Sequence, residues 1–179
     1  MKYALFVLLL LLYSCKEETS PLSPPEIPET ELKGADISFL PEIRTSPVIL
    51  YNRKNQPEDI LLTLKNSGVN TVRIRLWKNP TEANSNFETV KALAQECKNL
   101  GLKVHLTVHY SDTWADPGNQ VTPVEWQSLT SDQLCDSVEA YTRKIMLEIN
   151  PEYFQIGNEI NNGFLWPQGS FSNQGAFSV

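Results

Sequence analysis

Strand-like and helix-like segments alternate along most of this sequence, and this alternation constrains the fold more than any other feature. Runs rich in β-branched residues and short alternating segments predict strands at residues 34–38, 69–77, 102–109 and 152–157. Apolar residues at helical spacing predict helices at residues 57–66, 87–100 and from Thr130 onwards. Helices between successive strands imply parallel strands with crossover connections.

The spacing of the strands fits a barrel, and the placement of polar residues on one face of the strands favours a barrel over an open sheet. Each strand-plus-helix unit takes about 40 residues, so eight units need roughly 320, within the range of a (β/α)₈ TIM barrel. We therefore predict an α/β fold comprising the first four βα units of such a barrel, truncated after strand 4. A four-stranded parallel sheet with helices on both faces is the structural alternative, which spacing does not exclude.

The side chains within the strands alternate between two faces. Period 2 sends Val104, Leu106 and Val108 to one face and His105, Thr107 and His109 to the other. In the preceding strand the same alternation places Arg73, Arg75 and Trp77 opposite apolar neighbours. Charged groups inside a barrel are costly unless they are paired or face a wet cleft, so we expect carboxylate or substrate partners for Arg73 or Arg75, with a structural ion pair as the alternative to a functional role.

The carboxyl ends of the predicted strands are dense in carboxylates and indoles. Ligands of parallel α/β folds bind at these ends. Indole rings stack on the apolar faces of sugars, and carboxylates accept sugar hydroxyls and transfer protons. The residues at these ends are Asp36, Arg75, Trp77, His109, Tyr110, Asp112, Trp114, Asp116, Asn158 and Glu159. This set predicts a carbohydrate site.

Four longer motifs contain these residues. They are Gly34-Ala35-Asp36-Ile37-Ser38, Asn70-Thr71-Val72-Arg73-Ile74-Arg75-Leu76-Trp77, His109-Tyr110-Ser111-Asp112-Thr113-Trp114-Ala115-Asp116-Pro117-Gly118 and Ile156-Gly157-Asn158-Glu159-Ile160-Asn161-Asn162-Gly163. In order and approximate spacing they resemble successive motifs of the arabinogalactan endo-β-1,4-galactanases, glycoside hydrolase family 53. Leu165-Trp166-Pro167 continues the resemblance. Thr107 and Asn119 depart from it, since members often have Asp at the first position and some have His at the second.

The resemblance implies roles for individual residues. Glu159 matches the acid/base of a retaining glycosidase, and Asn158 matches the residue that holds the sugar 2-hydroxyl. The substrate-binding set that the resemblance and the strand ends together indicate is Asn158, Arg73, His109, Asp112, Trp114, Asp36 and Trp166. The nucleophile belongs to a seventh strand, which residues 1–179 do not include, so we expect this stretch alone to be inactive.

Two other functions compete with an endo-acting retaining galactanase. One is a non-catalytic glycan-binding surface lipoprotein, and the other is a related clan hydrolase acting on mannan or glucan. No cofactor or metal site is evident in the sequence, and a calcium site is left open for the second half of the barrel. The net charge of −6 makes nucleic acid an unlikely partner, whereas polysaccharide fits the strand ends.

The N-terminal residues have the pattern of a targeting signal. Residues 1–14 have a positive head and a short apolar core, which is typical of a lipoprotein signal peptide, and Cys15 is the predicted lipidation site. Residues 15–33 form a Pro-rich tether, and residues 34–179 form the barrel half. We therefore expect a membrane partner through the lipid anchor, and a bacterial cell-envelope location at the outer membrane or cell surface. Cys97 and Cys135 are expected to be buried free thiols, with a disulfide as the alternative.

Overall fold

Four parallel strands form one sheet in the order β1-β2-β3-β4. The structure, a computed structural model, describes residues 31–171, so the predicted signal, Cys15 and the tether up to residue 30 lie outside the described residues. The strands are β1 (Gly34–Asp36), β2 (Thr71–Leu76), β3 (Lys103–Val108) and β4 (Tyr153–Ile156). A strand order that never reverses is that of a barrel wall, whereas a doubly wound sheet reverses at a switch point. The predicted four parallel strands with helices between successive strands, truncated after strand 4, are confirmed.

Four helices and two 3₁₀ turns connect the strands. The helices are α1 (Leu40–Thr45), α2 (Ile60–Asn66), α3 (Phe87–Asn99) and α4 (Ser131–Glu148), and the 3₁₀ turns are Ala83–Ser85 and Val124–Trp126. Helix α1 was not predicted from the sequence. Helix α2 begins three residues later than the prediction from Pro57, because the Asp59 side chain accepts the Leu61 N–H and caps it there. Thr130 caps α4 through a reciprocal capping box with Gln133.

The apolar face of the sheet packs against the helices. Helix α3 lies on β2 and β3 and buries Val90, Leu93, Ala94 and Cys97 against them. The strand residues that meet it are fully buried and have the predicted parity: Val72, Ile74, Leu76, Val104, Leu106 and Val108. Burial of this face fixes the register of each strand, because a slip of one residue would turn its apolar side chains to the other face.

The opposite face carries rows of polar side chains set by the strand register. Asp36 pairs with Arg73, Arg73 with His105, and His105 with Tyr153. One layer nearer the carboxyl ends, Arg75 pairs with Thr107 and Thr107 with Gln155. Thr107 is buried and donates a hydrogen bond to Gln155 Oε1 at 3.2 Å. The prediction that this face is polar is confirmed.

Both cysteines in the described region are free thiols. Cys97 is buried as predicted, and burial raises the pKa of its thiol to about 12. The prediction of burial is wrong for Cys135, which is exposed on α4. Within residues 31–171, none of the helices has the length and apolar character needed to cross a bilayer.

Candidate active site

A polar clamp centred on Arg73 joins the two outer strands of the sheet. One guanidinium nitrogen donates to Asp36 Oδ2 at 2.7 Å, and another donates to Asn158 Oδ1 at 3.0 Å. The Asn158 amide in turn donates to the Ala115 carbonyl at 2.8 Å. The pKa of Asp36 lies below its usual value, because hydrogen bonds from Ser38 and Arg73 outweigh the opposing effect of burial, the largest single influence. Three predicted site residues, Asp36, Arg73 and Asn158, are thus brought into one network.

The chain leaves β4 through a tight left-handed turn that carries Glu159. Gly157 has φ +73° and Glu159 has φ +51°. A Cβ at position 157 would overlap the Ile160 side chain, so glycine is required there both for its conformation and for space. Glu159 is exposed, which leaves its carboxylate reachable from solvent. A non-glycine residue in this region of φ is strained and persists only where its surroundings hold it.

Gln120 is a buried residue of the site that the sequence analysis did not single out. Its side-chain amide donates to the carbonyls of Asp116 at 2.9 Å and Asn158 at 2.8 Å, with a longer contact to the Glu159 carbonyl at 3.4 Å. The backbone carbonyl of Gln120 accepts the backbone N–H of Trp166 at 2.8 Å. Only its position two residues after the third motif could have drawn attention to it.

His109 lies buried beside the indole of Trp77. Its Nδ1 accepts two hydrogen bonds, from Trp77 Nε1 at 3.2 Å and from the Ala115 N–H at 3.1 Å. Two donors at Nδ1 require that nitrogen to be unprotonated, so the proton of the neutral ring resides on Nε2. Burial, aided by the nearby positive charges of Arg75 and Arg73, lowers the pKa of His109 to about 3.

Arg75 sits in an aromatic cage rather than in an ion pair. Its guanidinium carbon lies 4.7, 4.5 and 4.0 Å from the ring centroids of Phe39, Trp77 and Trp114. Its Nε donates to Ser85 Oγ at 3.1 Å, and its Nη2 is buried without a hydrogen-bond partner. Within residues 31–171 no carboxylate forms an ion pair with Arg75, and the carboxylate partner expected for one of the two arginines belongs to Arg73.

Trp114 covers this cage and presents its ring to solvent. The side chain is 47% exposed, and the ring contacts Trp77 edge-on at 5.6 Å and Phe39 at 6.3 Å between centroids. Asn119 donates to the Trp114 carbonyl at 2.7 Å, which fixes the loop behind it. Phe39 is also exposed, so the two rings form an open aromatic surface. Phe39 directly follows the first predicted strand motif, and that position was the signal for it.

The structure places two other predicted residues in loop contacts. Asp112 accepts the backbone N–H groups of Asn79 at 3.0 Å and Val124 at 2.9 Å, and so braces the loops that follow β2 and β3. Trp166 donates from Nε1 to the Asn162 carbonyl at 3.2 Å, and its ring is partly exposed. Trp166 therefore keeps a surface that a ligand can reach, whereas both oxygens of Asp112 have backbone partners.

The side chains of this site have the chemistry needed for proton transfer and sugar binding. In the described part of the chain, no group of three or more His, Cys, Asp or Glu side chains is arranged to hold a metal ion. An exposed carboxylate beside an oriented amide, with an open indole surface on a neighbouring loop, gives hydroxyl recognition, stacking and acid–base chemistry. The fold is that of the first half of a (β/α)₈ barrel, and its strand ends carry the types of side chain that glycosidases use.

Comparison with known proteins gives the family. The model of Glycosyl hydrolase family 53 matches residues 32–178, and the chain belongs to this family. It is 40% identical over 143 residues to arabinogalactan endo-beta-1,4-galactanase A of Emericella nidulans, an alignment that covers 77% of this chain and 41% of that protein.

Solved structures show the same likeness. The Ignisphaera aggregans GH53 catalytic domain matches with a TM-score of 0.75 and 36% identity, covering 83% of this chain and 45% of that one. A chain from the structures of two fungal beta-1,4-galactanases matches with a TM-score of 0.73 and 34% identity, covering 80% and 44%. The chain spans about two fifths of the length of the curated relatives it matches.

Proposed function

We propose that this sequence belongs to an endo-acting hydrolase of β-1,4-galactosidic bonds in the (arabino)galactan side chains of pectin. The observation that carries the proposal is the Asn158-Glu159 pair that follows β4, with the Asn158 amide held by Arg73 and by the carbonyl of Ala115, the chain neighbour of Trp114. The relatives named as arabinogalactan endo-beta-1,4-galactanases support the choice of substrate.

In the proposed reaction Glu159 is the acid/base. It protonates the glycosidic oxygen as the bond to the leaving sugar breaks, and it later removes a proton from the water that releases the glycosyl group. A retaining mechanism requires a second carboxylate about 5–5.5 Å away as nucleophile. The family resemblance assigns that group to a seventh strand.

Asn158 is suited to hold a sugar hydroxyl. Its Oδ1 accepts from Arg73, and one of its two amide hydrogens is donated to the Ala115 carbonyl. These two contacts fix the amide orientation and leave one N–H to donate to the substrate. The clamp therefore orients the amide before substrate binds, which lowers the entropy lost on binding.

The test is made on the product of the complete coding sequence. Glu159→Gln should abolish release of galacto-oligosaccharides from β-1,4-galactan while the melting transition is retained. Glu139→Gln is the matched control, because Glu139 is exposed on α4 and pairs only with Arg143 in the described region. Undiminished hydrolysis by the Glu159 variant would refute the assignment.

A panel of polysaccharides separates the competing functions. Preference for galactan over mannan and glucan is expected, whereas preference for mannan or glucan would favour the related clan hydrolase. Binding of galactan with no hydrolysis by the complete product would favour the glycan-binding lipoprotein.

We also propose that the protein is anchored in a bacterial envelope through Cys15. The support is the pattern of residues 1–15 and the Pro-rich stretch up to residue 33. Radiolabelled palmitate should be incorporated into the wild type and not into Cys15→Ala, and the wild type should fractionate with membranes. Release of unlabelled wild-type protein into the medium would contradict this proposal.

A further inference from the structure

We propose that Gln120 is a positioning residue for Glu159, holding the left-handed backbone that aims the carboxylate of the acid/base. This inference rests on the proposed function, because Gln120 can position the acid/base only if Glu159 has that role. Gln120 itself does not touch the reacting atoms. The burial of its side chain and the carbonyls that it contacts support this role.

The direction of the Gln120 amide is fixed by its surroundings. The side chain is only 2% exposed, and its nitrogen faces the carbonyl oxygens of Asp116, Asn158 and Glu159. If the amide nitrogen and oxygen of Gln120 were exchanged, Oε1 would face three carbonyl oxygens, which are all acceptors. Only the observed orientation is therefore compatible with these carbonyls. The Oε1 atom is left buried without a partner, a cost that the donor side of the amide offsets.

Two of these carbonyls belong to the peptide groups on either side of the Glu159 Cα atom. The Asn158 carbonyl is part of the peptide that precedes Cα, and its orientation determines φ of Glu159. The Glu159 carbonyl is part of the peptide that follows, and its orientation determines ψ. A side chain that contacts both carbonyls therefore holds both peptide planes, and with them the direction of the Cα–Cβ bond.

The Glu159 backbone needs such support. Its φ of +51° is strained for a residue with a Cβ atom, and Gly157 at +73° adds little stiffness on the preceding side. The backbone of Gln120 is in turn bound to the loop after β4, because its backbone carbonyl accepts the backbone N–H of Trp166 at 2.8 Å. Gln120 therefore connects the loop after β3 to both ends of the segment that carries Glu159.

A positioning role and a purely structural role predict different kinetics. If Gln120 aims the acid, its loss should harm reactions that need protonation of the leaving oxygen and spare those that do not. An alkoxide leaving from galactan needs the proton, whereas a dinitrophenolate leaves without it. Loss of general structure would instead lower kcat/KM for both kinds of substrate.

The experiment uses the product of the complete coding sequence and two substrates, β-1,4-galactan and a dinitrophenyl β-1,4-galactobioside. Gln120→Met removes the donor at similar volume and should lower kcat/KM for galactan by about 100-fold, mainly through kcat, as misplacement of a reacting group does. For the dinitrophenyl substrate kcat/KM should stay within about threefold, since departure of this leaving group does not need the acid.

Two further variants sharpen the test. Gln127→Met is the matched control, because Gln127 lies in the same loop and donates to the Thr122 carbonyl at 3.0 Å without contacting the Glu159 segment. It should leave both activities unchanged. Gln120→Glu places a carboxyl against the three carbonyls and can donate only when protonated, so its loss relative to wild type should be larger at pH 7 than at pH 5.

The outcomes separate this inference from the proposed function. An equal loss on both substrates, or no loss on galactan, overturns the positioning role. A wild-type protein that does not cleave galactan refutes the proposed function instead. In that case a crystal structure of Gln120→Met decides the inference: a changed φ at Glu159 supports it, and an unchanged backbone and carboxylate direction overturn it.

Discussion

Trp114 offers the most quantitative test of the proposed sugar-binding surface. Its indole is 47% exposed on one side, while Arg75 lies 4.0 Å from the ring centroid. Trp114→Ala would remove the open face and uncover the guanidinium. Because Arg75 has no carboxylate partner within the described region, water can hydrate it once uncovered, and this offsets the lost cation–π contact. We therefore expect the effect on ligand binding to exceed the effect on folding.

The size of the binding effect follows from the exposed area. A tryptophan side chain presents roughly 250 Å², so about 120 Å² of Trp114 is open, and a sugar ring stacked on it covers about half of that. At roughly 25 cal/mol per Å² this burial contributes about 1.5 kcal/mol. Such a loss corresponds to about a tenfold weaker affinity. Trp114→Phe should lose about half of this free energy, since a smaller ring remains.

The assay is reducing-sugar release from β-1,4-galactan by the product of the complete coding sequence, with binding to galacto-oligosaccharides measured by calorimetry. Trp114→Ala should raise KM about tenfold and change kcat by less than twofold, as removal of uniform binding does. A KM within twofold of wild type, with an intact fold, would show that the ring does not contact substrate. A fall in kcat equal to that in kcat/KM would show that Trp114 acts on the transition state instead.

Two predictions concern folding and can be checked by urea denaturation. The depressed pKa of His109, about 3 and caused chiefly by burial, means that the fold holds the neutral ring while an unfolded histidine takes up a proton below about pH 6.5. The contribution of His109 to the free energy of unfolding is therefore fully present above about pH 6.5. It decreases as the pH falls towards 3, by at most about 1.4 kcal/mol per pH unit. His109→Asn should flatten this slope, and an unchanged slope would contradict the assignment. Gly157→Ala should lower the free energy of unfolding by more than about 1 kcal/mol, through its positive φ and the overlap with Ile160. Gly118→Ala is the control, because its new Cβ would meet only the Asp116 side chain at ordinary distance.

The sequence could predict the parts of the fold that depend on the regular alternation of side chains along a strand and on the direction of the strands. Alternation in β3 separated Val104 and Leu106 from Thr107, and the structure keeps that division because only one face meets α3. Strand ends likewise brought Asp36 and Asn158 to one site, since parallel strands finish on the same side. Both predictions needed only local spacing and chain direction.

The parts that sequence could not predict depend on contacts between distant loops. Gln120 is a buried polar residue, two of whose three side-chain partners lie 38 and 39 positions away, and no periodicity marks such a residue. The cage of Arg75 draws Phe39 from the loop after β1 and Trp114 from the loop after β3. Helix α1, with six residues, is too short for a helical period to stand out from the surrounding turns.

Arg73 and Arg75 point from the same face of β2, yet their environments differ in a way that indicates different functions. The ion pair of Arg73 with Asp36 has side chains 34% and 44% exposed, and a pair so open to water contributes at most about 1 kcal/mol to stability. The main effect of Arg73 is therefore on orientation, because the same guanidinium donates to Asn158 Oδ1 and fixes the direction of that amide. Arg75 is buried, and its charge is balanced by ring faces rather than by a carboxylate. Arg73 therefore orients a residue of the site, whereas Arg75 packs among the rings of the aromatic cage.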